Sequence, residues 1–261
     1  MIDIGANLAD ASFDPDRPDV LQRAWDAGVD HIVLTGSSAF SNRRAQELTS
    51  LAPARLSATA GLHPHHAEEW TAHLADSIRA MAAEGRIVAV GECGLDYFRD
   101  LSPRKAQRDA FAAQLEIAIE HHLPVFLHQR DAHVDFLPML SEYRRSLVDC
   151  VVHCFTDTAA ALDDYLALDC HIGITGWICD ERRGQHLLHC VGDIPHDRLM
   201  IETDAPYLLP RTIRPKPKTR RNEPMHLGEI ANTIATATGQ EPAAVQASTN
   251  ATARRFFRLA G

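Results

Sequence analysis

Residues 86–96 read RIVAVGECGLD, and this stretch sets the fold. Four apolar residues, Ile87 to Val90, run together, and three of them are β-branched. So short a run suits a strand buried on both faces, as in a parallel sheet covered by helices. Glu92 follows at the strand end, between Gly91 and Gly94. A carboxylate leaving a buried strand needs partners, because desolvating it alone is costly. Cys93, one step along the strand, points the opposite way.

Seven further apolar runs resemble the first. The strands are predicted at residues 2–8, 31–35, 56–62, 87–92, 124–128, 150–154, 171–175 and 199–203. Helices are predicted at 16–27, 41–50, 68–83, 103–121, 132–145, 158–168 and 181–191, with two more at 225–238 and 242–259. The longest carries Ala110, Phe111, Gln114, Leu115, Ala118 and Ile119 at helical spacing, after a Ser102-Pro103 start signal. Strict strand–helix alternation implies parallel strands. Eight such units in 261 residues imply one closed (β/α)8 TIM barrel rather than an open doubly wound sheet, with residues 1–261 forming a single domain.

Active residues of such barrels lie where strands end. Here those ends carry Glu92, His128, His153 and Asp204, with His63 and His65 around Pro64 after the third strand. One carboxylate and two imidazoles from neighbouring strands are the donors of a catalytic divalent-metal site. Glu92, His128 and His153 are therefore expected to hold a metal, and Asp204 to join them and take a proton from water. His63 and His65 are expected to face the same mouth and to bind substrate phosphate or protonate a leaving group. The loop 211–221 holds Arg211, Arg214, Lys216, Lys218, Arg220 and Arg221 without an acid among them. Arg211 and Arg221 are expected to bind an anionic substrate beside the site.

The net charge is −9, so a polyanion has to be met by a local basic patch. Six cysteines form no C-x-x-C pair and read as reduced thiols. There is no secretory pattern at the start and no long apolar run, so a cytoplasmic protein with no membrane span is expected. Serine-nucleophile elbows, P-loops and dinucleotide fingerprints are absent.

The segments GLHPHH, VGECGLDY, FLHQRDAH, HCFTDT, GITGWICDERRG, IETDAPYLLPR and RRNEP stand in order along nearly the whole chain. In this the sequence resembles the TatD family of metal-dependent deoxyribonucleases. The resemblance implies an amidohydrolase-like TIM barrel, with metal ligands at Glu92, His128 and His153 and Asp204 at the centre. It also implies a Mg²⁺-dependent 3′–5′ exonuclease on single-stranded DNA, with RNA as a second substrate and Mn²⁺ or Zn²⁺ as alternative ions. A role in DNA repair and in degradation of damaged DNA goes with it, and a monomer is expected. Two positions depart from the family pattern. Gly5-Ala6-Asn7 stands where many members carry His-x-His, and Asp157 where glycine is usual. A second ion is then expected to enter only with substrate, which brings oxygen ligands. The rival readings are a small-ester, amide or aminoacyl-tRNA hydrolase on the same scaffold, and a binding protein with a decayed site.

Overall fold

The computed structural model describes residues 1–259, so the last two residues of the expected domain lie outside it. Among the described residues there are eight strands: β1 (Ile2–Ala6), β2 (His31–Leu34), β3 (Leu56–Ala60), β4 (Ala89–Asp96), β5 (Val125–Arg130), β6 (Cys150–Val152), β7 (His171–Ile174) and β8 (Leu199–Ile201). They pair in chain order, and each neighbouring pair is parallel. Past β8, the Asp204 amide donates to the Gly5 carbonyl at 2.8 Å and the Asn7 amide to the Ala205 carbonyl at 2.7 Å. These bonds bring the last strand's exit against β1 and close the ring.

The helices are α1 (Arg17–Asp26), α2 (Ala39–Leu48), α3 (Ala72–Ala83), α4 (Arg104–Glu120), α5 (His133–Tyr143), α6 (Ala159–Ala167), α7 (Gln185–Cys190), α8 (Leu227–Thr238) and α9 (Pro242–Phe257). The expected alternation is there, with shifted edges. α2 starts two residues early because Ser38 and Ser41 cap it reciprocally. The expected helix from residue 68 splits into a 3-10 turn at Pro64–Glu69 and α3, whose first turn is capped by Thr71. None of the nine is long and apolar enough to cross a membrane.

Strand alternation sorts two cores. Outward-facing strand residues such as Ile32, Leu127 and Ile172 pack with helix residues Val20, Phe111, Phe136 and Ile230 in the larger one. In the smaller, Ile2, Ile4, Val33, Ala89, Phe126, Val151 and Met200 meet Ala253, Phe256 and Phe257 of α9. The Ile2 amide donates to Asn250, and Thr252 and Arg255 donate to the carbonyls of His196 and Asp197, just ahead of β8. α9 thus plugs the barrel where the strands begin, and leaves the other end open.

Candidate metal centre

β4 was expected to stop at Glu92 but continues to Asp96. Its register against β5 shifts between Val90 and Cys93, and Gly91 lies at φ 133, where a Cβ would meet the Phe126 carbonyl oxygen. Beyond the bulge the two-residue period puts Glu92, Gly94 and Asp96 on one face. Cys93 and Leu95 turn the other way, into the outer core.

Glu92 Oε1 is the focus. His153 Nε2 lies 2.8 Å from it, His128 Nδ1 3.0 Å and His63 Nε2 3.3 Å. The other ring nitrogen of His128 is 3.3 Å from Asp96 Oδ2, which also takes His65 Nε2 at 2.7 Å. His153 Nδ1 lies 3.4 Å from Glu202, whose second oxygen accepts the Cys154 amide at 2.6 Å. Asn7 donates its amide to Asp204 at 2.8 Å. Apart from the fully buried Glu202, these groups line a cavity of about 500 Å³ at the open end, together with Arg99, Arg130 and Tyr207.

The surroundings set the charges. Burial pushes the Glu92 carboxyl up, but the surrounding imidazoles of His63, His153 and His128 outweigh it and hold Glu92 well below the usual carboxylate range. Burial opposes protonation of His153, yet Glu92 and Glu202 raise its pKa well above normal. Burial lowers His63 to about 4, so it is neutral. Its Nδ1 accepts the His65 amide at 3.1 Å, which leaves the proton on the nitrogen facing Glu92. Burial, with repulsion from Glu92 and Glu202, raises Asp204 to about 7 against the pull of His153 and Asn7.

This donor set fits a metal. The ligand atoms of His63, Glu92 and His128 all lie within 4.8 Å of one another. Bonds of about 2 Å from one ion span such a triangle. His63 was expected to bind phosphate or protonate a leaving group, and the structure adds it to the candidate ligands. His65 lines the cavity one carboxylate further out, on Asp96.

Gly5 shows what replaces a strand-one histidine. A Cβ there would come within 2.5 Å of Glu202 Oε2 and 2.9 Å of Phe126. The Glu202 carboxylate fills the room a side chain would need. Asp96 and Glu202 were not singled out in the sequence. Asp96 stands an even number of residues from Glu92 on β4, so strand parity was the available signal there, whereas Glu202 lies past the end of β8.

The two arginines expected to bind substrate are paired away from the cavity. Neither lines the cavity. Arg211 forms a fork on Glu181, at 2.9 and 2.7 Å. Arg221 is held by Asp16 at 2.8 and 2.7 Å and by Glu223 at 2.9 Å. Loop 211–221 contains no acid, but acids from elsewhere in the fold reach it. The cations at the cavity are instead Arg99 and Arg130.

Fold and donor set together define a parallel α/β barrel with a candidate metal centre at its open rim. A family model described as TatD related DNase matches residues 2–258, and the chain belongs to that family. It is 48% identical over 259 residues to the 3′-5′ ssDNA/RNA exonuclease TatD of Erwinia billingiae, covering 99% of both chains. To the protein of that name in Pantoea vagans it is 47% identical, with full coverage of both. Among solved structures, the TatD homologue YJJV of Escherichia coli superposes with a TM-score of 0.90 at 25% identity, covering 100% of this chain and 98% of that one. A TatD family hydrolase of Entamoeba histolytica gives 0.89 at 26% identity, covering 98% and 97%.

Proposed function

We infer that the chain is a 3′–5′ exonuclease that hydrolyses phosphodiester bonds in single-stranded DNA and RNA with the help of a divalent ion. The observation that carries this is the meeting of three imidazoles on one oxygen of Glu92, in an open cavity that Asp204 also lines. Full-length similarity to proteins named as such exonucleases supports the choice of substrate.

In this reading Glu92 and His128 hold the ion with His63 in reach, and His153, 2.8 Å from Glu92 Oε1, is the further ligand. When bound, a divalent ion polarises a phosphate oxygen and acidifies water. Asp204, oriented by Asn7, takes the proton of the attacking water. The water oxygen joins phosphorus, the bond to the leaving oxygen breaks, and that oxygen receives the proton. Glu202 keeps the His153 ring in place, as carboxylates beside ligating histidines do. Positive charge at the rim comes from Arg99 and Arg130, and His65 is positioned by Asp96 to contact a phosphate. Mg²⁺ is the proposed ion. Mn²⁺, which like Mg²⁺ suits oxygen donors, and Zn²⁺, which imidazole donors suit better, are the comparison arms.

The same reading takes residues 1–261 as one catalytic domain, a monomer in the cytoplasm engaged in DNA repair and degradation. A ring of strands without a free edge supports the monomer. The test is timed digestion of 5′-labelled single-stranded DNA with each ion. A ladder shortening from the 3′ end, absent in His128→Ala, is expected. No shortening with any of the three ions would refute the reading.

A further inference from the structure

The cavity at the metal centre shares a wall with a smaller one of about 240 Å³. Asn7, Ser37 and Tyr207 line both. That volume is below the ~300–1,000 Å³ typical of pockets for drug-sized ligands, which suits one nucleoside rather than a longer piece. Two large aromatic rings stand at it, Phe40 and Tyr207, and they are 65% and 55% exposed. Neither ring sits on a loose support. Phe40 follows directly on the reciprocal Ser38–Ser41 cap of α2. The Tyr207 amide donates to the Asp204 carbonyl at 2.9 Å, tying its backbone to the proposed proton acceptor.

Charge differs across the shared wall. Arg99 and Arg130 line the first cavity. The Arg130 guanidinium lies 4.0 Å from the centre of the Phe98 ring and 5.5 Å from that of Trp177. Cations interleaved with aromatic faces suit a strand that carries phosphates and bases. Among the described residues lining the second cavity there is no cation, and the one carboxylate is Asp10. One Asp10 oxygen accepts the Ser12 amide at 2.8 Å. A continuing phosphodiester is disfavoured there, whereas a hydroxyl is tolerated as a hydrogen-bond donor.

We propose that this second cavity takes the 3′-terminal nucleoside, its base stacked on Phe40 and Tyr207 and its free 3′-hydroxyl on the Asp10 side. The upstream strand lies over Arg99 and Arg130. The proposal rests on the exonuclease reading and deepens it. It gives the digestion its end: the strand cannot run on past a cation-free cavity that holds an acid. It also makes a 3′-phosphate a poor terminus, because that group would bring like charge up to Asp10. Stacking accepts any base, so little sequence preference follows.

The test has a binding arm and a cleavage arm. In EDTA, an oligonucleotide with 2-aminopurine at its 3′ end should lose fluorescence on binding, and one labelled at its 5′ end should lose less. Phe40→Ala, at an exposed side chain, should abolish that difference. With metal, Phe40→Ala should raise KM by about fivefold or more, the low end for one base–aromatic stack. Wild type should cut a 3′-phosphorylated oligonucleotide about tenfold more slowly than the 3′-hydroxyl form, as like charges at close range imply. Asp10→Asn, which keeps an acceptor for Ser12, should narrow that gap. Equal rates on the two termini, or 3′ quenching that survives Phe40→Ala, would overturn the proposal and leave the exonuclease reading standing. No cleavage of either oligonucleotide would overturn both.

Discussion

Where the strands begin, Ile2, Ile4, Phe126 and Met200 close against Phe256 and Phe257 of α9. Where they end, the barrel presents Glu92, Asp96, His128, His153 and Asp204 to the cavity. Burial is similar at the two ends: Phe256 is 3% exposed, His153 4% and Glu92 6%. The energetics are opposite. Burying an aromatic side chain contributes about 1.5–3 kcal/mol. Burying charged groups costs several kcal/mol each, and pairing repays this only partly. The plugged end therefore stabilises the fold, and the open end draws on that stability to hold groups that water would otherwise solvate.

Two substitutions separate the ends. Glu92→Gln should lower kcat/KM by about 10²–10³-fold, the scale for losing one preorganised charge-stabilising group. It should change Tm little, because the imidazoles around it can release their protons and leave no uncompensated charge. Phe256→Ala should do the reverse. A buried aromatic truncated to alanine costs about 3–5 kcal/mol, which for a chain of this size is a Tm drop of about 10 °C. Digestion at a temperature where the variant remains folded should be close to wild type. A Glu92→Gln protein that melts as early as Phe256→Ala would break the contrast.

Asp3 gives a smaller effect, with a pH signature. It is fully buried and accepts hydrogen bonds from the Thr203 amide at 2.9 Å and the Thr203 hydroxyl at 2.5 Å. Burial raises it from 3.8 to about 7, against those hydrogen bonds. Between these values the folded chain keeps a proton that the unfolded chain releases. The stabilisation is thus full below pH 4 and declines as pH rises to about 7. The interval corresponds to at most about 4 kcal/mol. Asp3→Asn removes this slope, so its Tm measured against wild type should improve from pH 5 to pH 8. A constant difference would show that Asp3 is ionised throughout.

The smallest effect is expected at Arg211. Its fork on Glu181 is at the surface, where solvent and salt screen an ion pair to little net effect. Arg211→Ala should leave Tm and kcat/KM nearly unchanged, whereas Arg130→Ala at the cavity should raise KM. A large loss of activity at Arg211 would restore the basic loop as a substrate contact.

How much was legible follows from the range of each signal. All eight strands could be read because a buried strand marks itself with local apolar runs. Glu92, His128, His153 and Asp204 could be read because each ends such a run. Asp96 was hidden by the bulge at Gly91, which lets β4 continue past its expected end. Glu202 was overshadowed by Asp204, since both lie just past the end of β8 where strand alternation no longer sorts side chains. Arg211 and Arg221 looked unpaired because their acids, Glu181 and Asp16, come from distant parts of the chain.

By itself the sequence determined the alternation of strand and helix, the donors at the strand ends and the family. Only the tertiary structure decided which donors share an oxygen, that His63 stands among the candidate ligands, that Glu202 fills the space beside Gly5, and which arginines line the cavity. The physical reason is reach. Side-chain direction follows a two-residue period written locally, whereas charge pairing depends on distances that exist only once the ring has closed.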